Sequence, residues 1–147
     1  MNVKRETARA LASQLIREAA WAPALVLAVY LLTARVLHLF AAYPDLDIPM
    51  HFVGGLGSAY FFLRSLQVVS RLEALGKPNR LAHRLLAFSL TCVAAVTWEF
   101  AEYASDQLLG SHEQLGLEDT MGDLLLGILG GLVLLSLHPS SRTDSRT

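Results

Sequence analysis

Four apolar runs, each about as long as a bilayer crossing, leave this chain few folds to adopt. A hydrocarbon core about 30 Å thick takes about 20 helical residues to span, and the run from Ala20 to Phe40 supplies them, with Pro23 tolerated in its first turn. A second run goes from about Ile48 to Val69 and carries Arg64 near its far end. The third, from about Leu81 to Leu109, is about 43 Å long at a rise of about 1.5 Å per residue, so its ends pass beyond the hydrocarbon. The fourth, from about Thr120 to Leu137, holds eight leucines, enough apolar surface to carry a buried acid at its start.

Composition agrees with these runs. Of 147 residues, 53% are hydrophobic and 17% charged, too apolar a balance for an ordinary soluble domain. A net charge of −1 provides no basic face for phosphates and argues against a nucleic-acid partner. The single cysteine, Cys92, lies inside an apolar run and forms no internal disulfide. The expected fold is all-α and polytopic: a four-helix transmembrane bundle (20–138) after a short amphipathic leader (1–19) and before a polar, disordered tail (139–147). In the leader, Leu11, Leu15 and Ile16 share one side of a helix, opposite charges too numerous and too mixed for a signal peptide, so it is expected to lie along the inner membrane surface.

Orientation follows from the basic residues. Lys4, Arg5, Arg9 and Arg17 precede the first run; Arg71, Lys77, Arg80 and Arg84 lie around the connection between the second and third; Arg142 and Arg146 are in the tail. The connections 41–47 and 110–119 have none, so both termini are expected in the cytoplasm and the short acidic loops outside. Gly54 with Ser58, and Gly127 with Gly131, have the small-xxx-small spacing that lets membrane helices approach closely.

This topology gathers the intramembrane ionisable residues at one depth. The first run ends with Arg35 and His38; the second opens with Asp47 and His51; the third carries Glu99, Glu102 and Asp106; the fourth opens with Asp119 and Asp123. Residues three or four apart share a helix face, which groups Asp47 with His51, Glu99 with Glu102 and Asp106, and Asp119 with Asp123. Asp47 and Asp119 also suit helix caps. Glu99 and Glu102 do not: they approach a helix C-terminus, where negative charge is disfavoured, and they repel each other. An acid at mid-membrane costs about 2.5–3.5 kcal/mol. Three compensations are open: shared protons, a bound cation, or ion pairing.

Asp47, His51, Glu99, Glu102, Asp119 and Asp123 are therefore the candidate metal ligands, with Arg35 balancing their charge. Carboxylates with an imidazole suit a divalent ion such as Mg²⁺, Mn²⁺ or Zn²⁺, although no H-E-x-x-H signature is present. Arg64 is placed to snorkel to the interface, and Trp21, Tyr43 and Tyr103 fit interfacial belts. Trp98 is read as either packing or a site wall, and His83, His112 and His138 as solvated residues at helix ends or in a loop. Serine-hydrolase, nucleotide-binding and dinucleotide motifs do not occur.

The string from Tyr43 to Gly55 (YPDLDIPMHFVGG), the string Trp98-Glu99-Phe100-Ala101-Glu102 and the string Asp119-Thr120-Met121-Gly122-Asp123-Leu124 resemble the YjdF-type inner-membrane proteins. These are distantly similar to the VanZ-like family, although Ile48 stands where that family has a lysine. The resemblance covers roughly residues 20 to 137 and implies a compact protein of the bacterial cytoplasmic membrane. Three classes of function follow as expectations: a carboxylate and histidine site near the outer face that binds a cation or protons, for transport or sensing; a metal-dependent enzyme acting on a lipid or lipid-phosphate; or a structural subunit whose polar residues join helices. The lipid bilayer is the expected surrounding, and a lipid or ion ligand and a second copy of the chain the expected partners.

Overall fold

The computed structural model describes residues 2–71 and 79–138. Among them the chain is helical and connecting loop, with no strand. Helix α1 (Asn2–Glu18) is followed by α2 (Trp21–Tyr30), which passes into a π-helical segment, Leu31–Val36. A four-residue helix α3 (Leu39–Ala42) and a 3-10 turn (Pro44–Leu46) lead into α4 (Asp47–Arg71). Helices α5 (Arg80–Leu109) and α6 (Leu117–Leu137) complete the bundle. The connection 72–78, which includes Lys77, and the tail from Pro139, which includes Arg142 and Arg146, lie outside the described residues.

Three helices are long and apolar enough to cross a membrane, and a fourth crossing is available if the bent pair formed by Ala8–Glu18 and Trp21–Val36 is one span. The fold is thus an all-α polytopic membrane fold. Large apolar residues point outward along its length, among them Leu25 and Val29 on α2, Leu85, Val93 and Phe100 on α5, and Leu125 and Leu129 on α6. A soluble protein would bury such residues; lipid solvates them.

The first run differs from its expected form. Continuous helix was expected from Ala20 to Phe40, but the regular α-helix stops at Tyr30 and the π segment ends where His38 takes a left-handed backbone, φ 51. Leu37 N–H reaches back five residues to the carbonyl of Leu32, the π pattern. α1 and α2 are bent 55° from one another. Below that bend, Glu18 accepts from Arg64 at 2.7 Å and from Arg71 at 3.2 Å. Arg64, placed by the sequence to snorkel, ties α4 to the leader and also donates to Gln67. Trp21 and Tyr60 add a second tie, the indole N–H donating to the tyrosine hydroxyl, which donates in turn to the carbonyl of Glu18.

The packing that positions the site is the contact of α4 with α6, the most extensive helix pair. A methyl group at Gly55 would overlap the carbonyl oxygen of Gly127, and one at Gly130 would overlap that of Phe52, so the two backbones touch where glycine leaves room. Gly127 and Gly131 are in close helix contacts as their spacing suggested, facing Ala95 and Thr91 of α5 as well as α4, but Gly54 is not. Its neighbour Gly55 makes the contact, while a methyl at Gly54 would meet nothing within 4 Å. Towards the other end of the bundle, Ala59, Leu63, Ala87 and Leu135 form the buried apolar core. Asn79 caps α5 by accepting from Ala82 N–H at 2.8 Å, and α5 stops at Gly110, whose φ of 66 suits glycine. Helix α6 begins at Leu117, three residues before the expected Thr120, because Gly116 turns the chain with a φ of 132.

Gly55→Ala and Gly130→Ala should each destabilise the protein by about 1–3 kcal/mol through backbone overlap, whereas Gly54→Ala should be neutral or stabilising by up to about 1 kcal/mol. Thermal unfolding of the three variants in detergent, scored by the order of their midpoints, checks this.

Candidate functional site

The start of α4, the last third of α5 and the start of α6 meet at one end of the bundle, and each brings acids. His51, one turn into α4, is at their centre. Its Nε2 lies 3.3 Å from Asp47 Oδ1, 3.8 Å from Asp123 Oδ1 and 3.9 Å from Glu102 Oε1, and its Nδ1 lies 3.6 Å from Glu99 Oε1. One imidazole therefore faces four carboxylates from three helices. A fifth, Asp119, falls within 4.8 Å of Asp47 and Asp123, measured between ligand atoms. The structure thus brings together all six side chains singled out as ligands.

Burial makes the arrangement costly. Glu99 and Glu102 are 6% exposed and Asp123 5%. Two unit charges about 4 Å apart interact by about 4 kcal/mol at an effective dielectric of about 20, so five ionised acids around one imidazole are not stable without company. Glu102 has a partial answer: the Trp98 indole N–H donates to its Oε1 at 2.8 Å, which makes Trp98 part of the site wall. Glu99 has none. Both of its carboxylate oxygens are buried without a hydrogen-bond partner, a state that costs about 1–3 kcal/mol for a neutral group and more for a charged one.

Arg35 is placed elsewhere. Its guanidinium pairs with Glu113 in the loop between α5 and α6 and donates to Ser105 Oγ at 3.3 Å. Glu113 also accepts from the Tyr30 hydroxyl at 3.1 Å, and Tyr30 packs edge-on against Trp98 with ring centroids 5.1 Å apart. Glu113, Tyr30 and this loop were not singled out by sequence reasoning, since a glutamate in a polar connection and a tyrosine in an apolar run carry no spacing signal. Asp106, grouped with the acids by its helical spacing, turns away to organise the loop. It accepts from Ser111 Oγ at 2.7 Å, from Glu113 N–H at 2.9 Å and from Gln114 N–H at 3.0 Å. Asp119 does double service, its Oδ2 accepting from Leu115 N–H at 2.9 Å where the chain enters α6.

Two cavities flank the cluster. One, of about 390 Å³, is on the loop side and is lined by Arg35, Asp47, Glu102, His112 and Glu113 among others. The other, of about 270 Å³, runs towards the middle of the bundle between α2, α4 and α5, with His51 and Asp47 in its wall and mostly apolar side chains beyond them. Tyr30 and Asp47 line both.

Residues 10–142 match the family described as predicted membrane protein (DUF2238). The chain belongs to that family. A relative in Thermotoga maritima, described as an uncharacterized protein, is 38% identical over 87 residues, which is 57% of this chain. The matched stretch is 42% of that relative's length, so the chain corresponds to less than half of it. No solved structure matches the chain. Membership in the DUF2238 family accords with the outward apolar surface and the spanning helices.

Replacing Asp106 with alanine removes three acceptor contacts at once and should destabilise the loop 110–116 by about 1–3 kcal/mol. Hydrogen exchange at Glu113 and Gln114 should rise in Asp106→Ala while exchange at mid-α6 stays unchanged.

Proposed function

We propose that the cluster around His51 is a binding site for a divalent cation, held by His51 and carboxylates drawn from Asp47, Glu99, Glu102, Asp119 and Asp123. The observation that carries this reading is Glu99: a carboxylate 94% buried, beside the His51 imidazole and within reach of Asp123, with neither oxygen hydrogen-bonded. Three overlapping groups of three ligand atoms lie within 4.8 Å of one another: Asp47, His51 and Glu102; His51, Glu99 and Asp123; Asp47, Asp119 and Asp123. Around an ion at about 2.0–2.2 Å, ligand atoms are about 3–4 Å apart, so these groups close onto a metal by side-chain shifts of about 1 Å. One imidazole among several carboxylates suits Mn²⁺ or Zn²⁺, and Mg²⁺ if the imidazole stands aside. The Trp98 indole on Glu102 then acts as an outer support that orients a ligand.

The flanking cavities favour a held ion over a conducted one. The cavity on the loop side, lined by Asp47, Glu102, Ser111, His112 and Glu113 among others, is the more polar of the two, while the cavity beyond is mostly apolar and would not hydrate a cation. Transport through the bundle is therefore the weaker use of the site, and a metal-dependent activity or a metal-held assembly the stronger. Membership in a membrane family, the resemblance to YjdF-type proteins and the one-sided distribution of Lys and Arg support a position in the bacterial inner membrane, with both termini cytoplasmic and the site near the outer face.

Titration calorimetry of the purified protein with Mn²⁺ and Zn²⁺ tests the cation site. Glu99→Gln and Asp123→Asn should each weaken binding by tenfold or more, and Trp98→Phe by about tenfold through loss of the outer hydrogen bond. Binding should release protons and strengthen as pH rises, because carboxylate and imidazole ligands must be deprotonated to coordinate. No heat and no retained metal with the wild-type protein, or equal affinity in Glu99→Gln, rejects the reading. Reporter fusions within 110–116 and after residue 138 check orientation: activity of a periplasmic reporter at the first position and of a cytoplasmic one at the second is expected.

A further inference from the structure

The cavity of about 270 Å³ on the bundle side of His51 has no part in holding an ion, yet it opens onto the same two ligands. Its size is close to the lower end of small-molecule pockets, about 300 Å³. Val26 and Leu27 line it from α2, and Ala94 and Ala95 from α5. α2 packs along α4, and its ring contact with α5 is Tyr30 on Trp98, at the cluster end. Small residues keep the space below that pair open: Gly54 also lines the cavity, and a methyl there would touch nothing within 4 Å. In a chain surrounded by hydrocarbon, an apolar cavity of this kind admits a lipid tail without desolvation cost.

The polar end of the occupant is set by what surrounds the two shared ligands. Mg²⁺ bound through one or two carboxylates commonly completes its shell with phosphate oxygens, and Mn²⁺ takes oxygen ligands of the same kind. On the far side of Asp47, the loop-side cavity carries His112 and Arg35, groups that donate to an anion, beside the acids Glu102 and Glu113; Arg35 is tied through its Nη2 to Glu113 and Ser105. We propose, resting on the cation site above, that the bundle-side cavity receives the hydrocarbon chain of a phosphate-bearing lipid, whose phosphate oxygens coordinate the ion held at His51 and Asp47. The occupant is then an amphiphile threaded past Tyr30 and Asp47, tail among Val26, Leu27, Gly54 and Ala95, phosphate at the metal. The phosphate supplies most of the affinity and the tail a smaller share through packing in the cavity, because tail burial gains little where the alternative is lipid; the cavity selects which tails fit.

Dodecyl phosphate is the probe, measured by native mass spectrometry on Mn²⁺-loaded protein, with inorganic phosphate and dodecyltrimethylammonium as comparisons. Dodecyl phosphate is expected to bind to the Mn²⁺-loaded protein and not to the metal-free protein, and inorganic phosphate about tenfold more weakly. Gly54→Leu fills the cavity from a position with open space around it and lies outside the ligand set. It should retain Mn²⁺ and the wild-type melting temperature while losing dodecyl phosphate by about tenfold or more. Dodecyl phosphate binding that is unchanged in Gly54→Leu, equal in metal-free protein, or matched by dodecyltrimethylammonium overturns the inference. Retention of Mn²⁺ with no dodecyl phosphate uptake overturns it while sparing the cation site, whereas absence of Mn²⁺ binding in the wild-type protein removes both.

Discussion

The close approach of α4 to α6 is the constraint from which the rest of the site follows. Gly55, Gly127 and Gly130 bring the two backbones into contact, and in lipid that contact is made by van der Waals packing rather than by hydrophobic exclusion. Because the helices touch within two turns of His51, the acids that open α6 come within reach of the imidazole on α4. A wider crossing would leave Asp119 and Asp123 facing water or lipid. The glycines and the acids are thus one device: the first sets the distance at which the second must be reconciled.

That reconciliation is electrostatic. Five carboxylates share a space with one imidazole, and Arg35, the residue expected to balance their charge, pairs with Glu113 outside the ring. Hydrogen bonding within the chain relieves Glu102 through Trp98 and Asp119 through a backbone N–H, leaving Glu99 unrelieved. Helix geometry contributes as well. Asp47 and Asp119 are in first turns, where the macrodipole favours negative charge, but Glu99 is ten residues from the end of α5 and gains nothing from it. Of the two residues that the sequence marks as hardest to explain, Glu99 and Glu102, the fold supports the second through Trp98 and leaves the first to the cost of burial.

Much of this was legible from periodicity. Pairs at i, i+3 and i, i+4 place side chains on a common face, and three such faces on apolar helices have only one another to turn toward. The same logic fails where rotation or register is decided by contacts far along the chain. Gly54 and Gly55 differ by one position and both line the cavity, and only the crossing of α4 with α6 determines which of them also packs against Gly127. Asp106 satisfies the spacing of the acidic face yet serves the loop, because three donors from 111–114 curl back over it. Glu113 could not be read at all: its importance lies in receiving Tyr30 and Arg35 from a helix more than seventy residues earlier.

The π-helical stretch after Tyr30 has its own implication for how this architecture tolerates change. Five-residue hydrogen bonds, such as Leu37 to Leu32, accommodate an additional residue without lengthening the helix by a full step. Removing one residue there would let the segment close to α-helix with the flanking turns near their present phase, so Tyr30 would keep its place on Trp98. A one-residue change within a regular α-helical stretch has the opposite effect and turns everything beyond it by about 100°. The π segment is therefore where the first run absorbs a change of one residue at the least structural cost.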